Sequence, residues 1–119
     1  MVTEPRIIKF YETTLRDGEQ TPGVNYFPEE KLAIAQALAD MGFDTLDCGF
    51  PISSPGEFDA VRMIASKVDN AEICAIARTH LADIDRAWEA VKIANRSAIQ
   101  PFVSVSPLHR QVKLGKTRE

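Results

Sequence analysis

Apolar residues fall into four short runs, separated by three segments in which they recur every three or four positions. The runs cover residues 7–10, 43–48, 72–77 and 99–105, and each is short enough for a strand. The helically spaced residues are Leu32, Ala35, Leu38 and Ala39, then Phe58, Val61, Ile64, Ala65 and Val68, then Leu81, Ile84, Trp88 and Val91. The pattern predicts the order βαβαβαβ, with Trp88 in the core.

Residues typical of helix ends support the first two helices. Pro28 suits a first helical position, and Gly42 is placed to end the same helix. Ser54 and Glu57 have the spacing of a capping box, in which Ser54 accepts from the Glu57 backbone and the Glu57 side chain reaches back. We therefore expect a helix to begin directly after Ser54.

The strand spacing indicates a parallel sheet. The last three strands begin near residues 45, 72 and 99, at intervals of 27 residues (72 − 45 and 99 − 72), which suits repeated βα units. Two architectures fit: a four-stranded open α/β sheet, or the first half of a (β/α)8 barrel. A whole barrel takes about 250 residues, so the 119 residues of this chain form at most part of one.

Composition narrows the function classes. A net charge of −3 gives no basic surface for nucleic acid or an anionic membrane, and no apolar run approaches a membrane-spanning length. We also find no secretory signal pattern near Met1, so we expect a cytoplasmic or organelle-interior protein, with the cytoplasm as the first choice. Cys48 and Cys74 lie in apolar runs and not in a paired-cysteine motif, which favours small buried side chains over a disulfide or zinc site.

Polar side chains cluster just after the predicted strands, where parallel α/β proteins place their sites. Carboxylates with amide and imidazole neighbours suit Mg²⁺ or Mn²⁺, and an adjacent arginine suits an enolate or a ligand carboxylate. Structural readings stay open: Arg16 and Asp17 as a surface pair, Asp47 as a loop cap, and both histidines in solvent. The candidates are Glu12, Arg16, Asp17, Gln20, Asp47, Arg78, His80, Ser104, Ser106 and His109.

Two motifs carry a family resemblance. The run Thr13-Thr14-Leu15-Arg16-Asp17-Gly18-Glu19-Gln20 with Pro22-Gly23, and the segment Gly49-Phe50-Pro51-Ile52-Ser53-Ser54-Pro55-Gly56-Glu57, resemble the N-terminal part of the 2-isopropylmalate synthase family. The shorter segment Glu30-Lys31-Leu32 extends this resemblance between them. That family belongs with the homocitrate and citramalate synthases. The resemblance implies that residues 1–119 are one partial barrel domain, the N-terminal half of a (β/α)8 TIM barrel with about four parallel strands and three helices.

The resemblance also implies roles for individual residues. Asp17 matches a metal-ligating carboxylate, Arg16 matches the catalytic arginine that binds the 2-oxoacid and stabilises the enolate, and Gln20 and Asp47 match substrate-pocket positions. The implied reaction is a Claisen condensation of acetyl-CoA with 2-oxoisovalerate, in leucine biosynthesis, with Mg²⁺ or Mn²⁺ polarising the oxoacid carbonyl.

Several family features differ or are missing. The family has Asp where this chain has Glu12, Glu at Asp47, and His and Thr at Gln100 and Pro101, and its His-X-His metal pair belongs to a later strand. We therefore expect weak or absent metal binding and no turnover by the isolated chain. Three hypotheses follow: a synthase fragment or subunit, a non-catalytic paralogue that binds a 2-oxoacid or acts as an interaction module, and an α/β protein without ligand.

A half-barrel leaves two strand edges unpaired and one sheet face uncovered. We therefore expect a homo-oligomer, or association with a full-length synthase.

Overall fold

The computed structural model describes residues 3–117, and within them four parallel strands form one sheet in the order β1-β2-β3-β4. The strands are β1 (Tyr11–Glu12), β2 (Thr45–Asp47), β3 (Glu72–Arg78) and β4 (Ser97–Phe102). Helices α1 (Pro28–Asp40), α2 (Pro55–Lys67) and α3 (Leu81–Val91) connect them, and a short α4 (Pro107–His109) with a π-helical turn (Arg110–Leu114) follows β4. This arrangement confirms the predicted half-barrel of four parallel strands and three connecting helices.

The register of the strands separates two faces of the sheet. Leu46 of β2 pairs with Ile73 of β3, and both are fully buried against the helices. One position along, Asp47 pairs with Cys74, so these side chains point to the opposite face, which would be the inside of a closed barrel. The inner-face residues are Tyr11, Thr45, Asp47, Glu72, Cys74, Ile76, Arg78, Ala98, Gln100 and Phe102. The inner face therefore carries the candidate Asp47.

The prediction of the first strand at residues 7–10 is wrong. Ile7 and Ile8 are exposed and have no strand partner, whereas the two-residue β1 begins at Tyr11. Pairing starts only where the Phe10 carbonyl accepts from Thr45 N at 3.2 Å and the chain meets β2. Backbone pairing, and not local hydrophobicity, thus sets the start of β1.

The fourth strand is also displaced from its predicted bounds, because it runs over Ser97–Phe102 and not over 99–105. Its pairing with β3 extends from Ile73–Ser97 to Arg78–Phe102. Val103 and Val105 lie beyond the last paired residue of β3 and are exposed. The second strand is shorter than predicted, at Thr45–Asp47 in place of 43–48.

Trp88 does not lie in the core, contrary to the prediction. Its side chain is 47% exposed, and Leu81 is 78% exposed. The buried face of α3 is centred on smaller residues, Ala87 and Ala90, which allow the helix to approach the sheet closely. Trp88 lies to the side of that face because successive residues turn by about 100°.

Both cysteines are buried free thiols, as the sequence predicts. No helix among residues 3–117 has the length and apolar content needed to cross a membrane.

Candidate functional site

The loop after β1 is ordered by its own polar groups. Asp17 N donates to the Thr13 carbonyl at 2.7 Å, which closes a turn. The carboxylate of Glu12 accepts hydrogen bonds from the backbone N–H of Thr14, at 3.0 Å to Oε2, and from the Thr14 hydroxyl. Leu15 is fully buried and attaches the turn to the core. Arg16 follows directly, so its backbone position is fixed on both sides.

Arg16 reaches from this loop to the end of β2. Its Nε donates to Asp47 Oδ2 at 2.9 Å, and its Nη1 lies 3.5 Å from Asp17 Oδ1. The Arg16 side chain is 23% exposed, whereas the Asp47 side chain is fully buried. Arg16 is therefore held by a buried carboxylate, while neither of its Nη groups donates a hydrogen bond within the described residues. Those Nη groups can donate to the carboxylate of a ligand.

Asp47 lies in a polar pocket on the inner face. Burial raises the pKa of its carboxyl, although the Arg16 hydrogen bond opposes this effect. Its second oxygen, Oδ1, is buried without a hydrogen-bond partner among the described residues. Tyr11 and Cys74 are the inner-face neighbours, with Tyr11 Oη 3.7 Å from Cys74 Sγ. Burial raises the pKa of both the Tyr11 hydroxyl and the Cys74 thiol, the latter to about 11, so both stay protonated near neutral pH.

Asp17 and Gln20 lie at the solvent-facing end of the same loop. The Asp17 side chain is 65% exposed, and Gln20 ends the 3₁₀ turn Gly18–Gln20 with its side chain in solvent. The structure thus joins Arg16 directly to Asp47 and Asp17, and it leaves the Gln20 side chain further out without a hydrogen bond among the described residues.

A divalent ion does not fit these residues as a complete site. Within residues 3–117 no three His, Cys, Asp or Glu side chains gather as a metal-binding group. Asp17 offers one carboxylate, which already pairs with Arg16. Gln100, on the inner face of β4, is an amide and a weaker ligand than the imidazole that the family resemblance implies there.

The candidates after β3 and β4 form a separate group. Arg78 is bound by Asp83, with Nε 2.6 Å from Oδ2 and Nη2 2.9 Å from Oδ1. His80 is the exposed N-cap residue of α3, and His109 is exposed in α4. A cavity of about 480 Å³ is lined by Arg78, Thr79, His80, Phe102, Val103, Ser104, Lys113, Leu114 and Lys116. Arg16 and Asp47 do not line it, so the candidates do not share one cavity.

Sequence reasoning missed an ion cluster that lies behind the site. Lys31 of α1 is buried at 4% exposure, and its Nζ lies 2.6 Å from Glu19 Oε2 and 2.9 Å from Glu57 Oε2. The capping box is half right: Ser54 Oγ accepts from Glu57 N at 3.1 Å, but the Glu57 carboxylate turns to Lys31 and to Phe50 N. Two signals were available: the helical spacing, which predicts burial at this position, and the place of Lys31 in the Glu30-Lys31-Leu32 segment of the family resemblance.

Known proteins share this sequence closely. A 2-isopropylmalate synthase of Dictyoglomus turgidum is 54% identical over 109 residues, which are 92% of this chain and 22% of that protein. The 2-isopropylmalate synthase of Halothermothrix orenii is 50% identical over 112 residues, 94% of this chain and 22% of the relative. That of Pyrococcus furiosus is 52% identical over 114 residues, 96% of this chain and 23% of the relative. The chain thus spans about a fifth of the length of these relatives.

The family comparison covers almost the whole chain. The family model described as HMGL-like matches residues 7–119. These residues include every strand and helix of the half-barrel and the loops that follow β1 and β2. This match agrees with the parallel sheet and with the Arg16–Asp47 pair at the ends of β1 and β2. This chain belongs to the HMGL-like family.

Proposed function

We propose that this chain is a 2-isopropylmalate synthase-like fragment that binds a 2-oxoacid through Arg16 and does not by itself condense it with acetyl-CoA. The observation that carries the proposal is the Arg16–Asp47 hydrogen bond of 2.9 Å at the carboxyl ends of β1 and β2. The similarity to 2-isopropylmalate synthases at about 50% identity supports the substrate class, a 2-oxoacid such as 2-oxoisovalerate.

The arginine has the chemistry for this role. Asp47 accepts from Nε, and Nη1 lies 3.5 Å from Asp17 Oδ1, so a ligand that takes both Nη groups of this fork competes with Asp17 for Nη1. A carboxylate can accept two parallel hydrogen bonds from such a fork. The partial burial of Arg16 strengthens these bonds relative to those of a fully solvated arginine. We therefore expect the carboxylate end of the oxoacid to lie on Arg16.

Turnover requires groups that residues 3–117 do not gather. The proposed Mg²⁺ or Mn²⁺ would receive one carboxylate, from Asp17, and its other ligands would have to come from another chain or from outside this segment. Forming the acetyl enolate also requires a base whose pKa lies near neutrality. The inner-face Tyr11 and Cys74 remain protonated, because burial raises the pKa of each.

Binding and turnover can be measured on the same purified chain. We expect isothermal titration with 2-oxoisovalerate to show binding that Arg16→Lys weakens at least tenfold. Arg62→Lys is the matched control, because Arg62 lies on α2 and donates to the Glu89 carbonyl, away from the site. An acetyl-CoA assay with Mg²⁺ or Mn²⁺ should release no thiol. Binding that Arg16→Lys leaves unchanged would refute the first half of the proposal, and turnover abolished by Arg16→Lys would refute the second.

A second proposal concerns assembly, and the open sheet supports it. β1 and β4 are the two edges, and Tyr11 and Phe102 on the inner face are 42% and 37% exposed. A two-fold axis parallel to the strands would pair β4 of each copy with β1 of the other and make an eight-stranded parallel ring from two four-stranded sheets. We propose this homodimer, in which each copy covers the inner face of the other. A full-length synthase is the alternative partner.

Sedimentation separates these outcomes. We expect a dimer at micromolar concentration, and Phe102→Asp on the inner face should dissociate it. Trp88→Ser is the control, because Trp88 is a comparably exposed aromatic residue on the helical side. A wild-type monomer would contradict the homodimer, and a complex formed only after a full-length synthase is added would favour the alternative.

A further inference from the structure

Lys31 carries a full positive charge in the interior, between the two loops that form the candidate site. It lies near the start of α1, and its side chain is 5% exposed. Its ammonium lies 2.6 Å from Glu19 Oε2 and 2.9 Å from Glu57 Oε2. The two carboxylates come from opposite sides: Glu19 from the 3₁₀ turn after β1, and Glu57 from the first turn of α2.

Each carboxylate uses its other oxygen to hold a loop backbone. Glu19 Oε1 accepts from Tyr26 N at 3.2 Å, which closes the loop between β1 and α1 on itself. Glu57 Oε1 accepts from Phe50 N at 3.2 Å, which holds the loop that follows β2. Lys31 therefore connects the segment that carries Arg16 to the segment that follows Asp47, although it contacts neither residue.

The backbone of Gly49 makes room for this arrangement. Its φ of +145° is one that residues with a side chain rarely adopt, and a Cβ at this position would overlap Glu57 Oε1. The Glu57 carboxylate thus packs against the backbone of Gly49, two residues after Asp47. Both the φ of Gly49 and the position of the Glu57 carboxylate therefore favour glycine at this position.

The energetics favour a role in geometry. Burial alone would lower the pKa of Lys31, but the hydrogen bonds to Glu19 and Glu57 outweigh it and raise the pKa. A buried ion cluster adds little net stability compared with apolar residues of the same shape, and its best-attested benefit is to fix one arrangement over others. Without the lysine, two partly buried carboxylates would face each other and repel, which would separate the two loops.

We propose that Lys31 is a positioning residue of the candidate site: by joining Glu19 and Glu57 it locks the β1–α1 loop to the β2–α2 loop, so that Arg16 stays on Asp47. The inference rests on the proposed function for its biological meaning. Its structural content, the coupling of Lys31 to the Arg16–Asp47 pair, can be tested without any ligand.

The test substitutes Lys31→Met, which keeps an unbranched side chain one atom shorter and removes its charge. The readout is the Arg16 Nε–H signal in a ¹H–¹⁵N spectrum, because Nε donates this proton to Asp47 Oδ2, which lies 2.9 Å from Nε. We expect the rate at which the Arg16 Nε–H proton exchanges with solvent to rise about tenfold, while the backbone amides of β3 keep their protection from exchange. Lys92→Met is the control, since Lys92 makes an exposed ion pair with Glu89 and the change in charge is the same.

The outcomes separate positioning from general stability. Faster Arg16 Nε–H exchange in Lys31→Met with β3 unchanged supports the proposal. Equal loss of protection in β3 and at Arg16, or no change at Arg16, overturns it. If Lys31→Met does not fold, Glu19→Gln is measured in its place, because it removes one ion pair and leaves the one between Lys31 and Glu57.

Ligand binding is then measured as a separate arm. If wild-type protein binds 2-oxoisovalerate, Lys31→Met should weaken binding about tenfold, and Lys31→Arg, which keeps the charge, should restore part of it. If wild-type protein does not bind, the proposed function fails while the spectroscopic result still decides the role of Lys31. Unchanged affinity in a Lys31→Met protein that binds would contradict the positioning role.

Discussion

Arg16 Nε and Asp47 Oδ2 lie 2.9 Å apart, although 31 residues separate the two in the chain. The pair connects the loop after β1 to the end of β2, and Asp47 is fully buried. Removing one partner of a buried ion pair leaves the other charge without compensation, which costs more than the pair itself contributes. The interaction is therefore as important for the fold as for the candidate site.

Arg16→Met should lower the free energy of unfolding by about 2–3 kcal/mol at pH 7, because it leaves the Asp47 carboxylate buried and unpaired. Arg16→Met with Asp47→Asn should be less destabilised than Arg16→Met alone, since the double variant buries no charge. Urea unfolding of the single and double variants measures the coupling. Additive effects would show that the two side chains act independently.

The Arg16→Met variant should also change the pH dependence of stability. Burial already raises the pKa of Asp47 above the ordinary 3.8, and losing Arg16 removes the main effect that lowers it. A folded-state pKa above the unfolded value means that stability falls as pH rises through the interval between them. The difference in unfolding free energy between wild type and Arg16→Met should therefore be smaller at pH 5 than at pH 8. A difference that does not change with pH would contradict this reasoning.

Gly49→Ala should destabilise the protein more than an ordinary glycine substitution. The new Cβ would overlap the Glu57 carboxylate, and the φ of +145° strains any side chain. We expect a loss of about 2–3 kcal/mol. Gly23→Ala is the matched control: its φ is +82°, but no heavy atom lies within 4 Å of the new Cβ, so only the backbone term of about 1 kcal/mol applies. Equal losses in urea unfolding would show that the contact with Glu57 is unimportant.

Asp83→Asn should lower the thermal midpoint of unfolding at pH 7, and the difference from wild type should shrink in acid. The Arg78 guanidinium holds the pKa of Asp83 below its ordinary value of 3.8. A lowered folded-state pKa contributes stability above the unfolded pKa and loses it as pH falls through the folded pKa. The wild type and the variant should therefore converge below about pH 4. Asp85→Asn, exposed on the same helix, is the control and should leave the midpoint unchanged at both pH values.

The two thiols should resist a thiol reagent in the native protein. Burial raises the pKa of Cys74 to about 11, so about one part in a thousand is thiolate at pH 8. Cys48 is fully buried, and burial raises its pKa well above the usual range. Labelling should be slow at pH 8 and complete for both residues in urea. Rapid native labelling of a Cys48→Ala variant would show that Cys74 is accessible.

The sequence predicted the half-barrel because its signals are local and repeated. The 27-residue spacing, Pro28 and the Ser54 cap each act within a few residues of where they appear. Ile7 and Ile8 misled the prediction, since an apolar run looks the same whether or not a strand pairs with it. Trp88 misled it because the small face of α3 turns toward the sheet, and side-chain size alone does not reveal that orientation.

The sequence identified the residues of the candidate site, but it did not predict the contacts between them. Arg16 and Asp47 both stood out as polar positions after apolar runs, yet their direct hydrogen bond depends on how two loops meet in space. The helical spacing indicated burial at Lys31, but a lysine on a helix is normally solvated, so its contacts with Glu19 and Glu57 were not predictable. The capping-box spacing accounts for the hydrogen bond from Glu57 N to Ser54, but it does not indicate that the Glu57 carboxylate binds Phe50 N and Lys31.

The order of strands in the sheet is also their order of synthesis, so each βα unit leaving the ribosome finds its partner strand already made. The sheet can grow by addition at one edge, because each new strand pairs with the strand made just before it. The loop after β1 is an exception, because the carboxylate that completes its attachment belongs to Glu57. A nascent chain that has not yet reached α2 thus carries Arg16 on a loop that still lacks its second support.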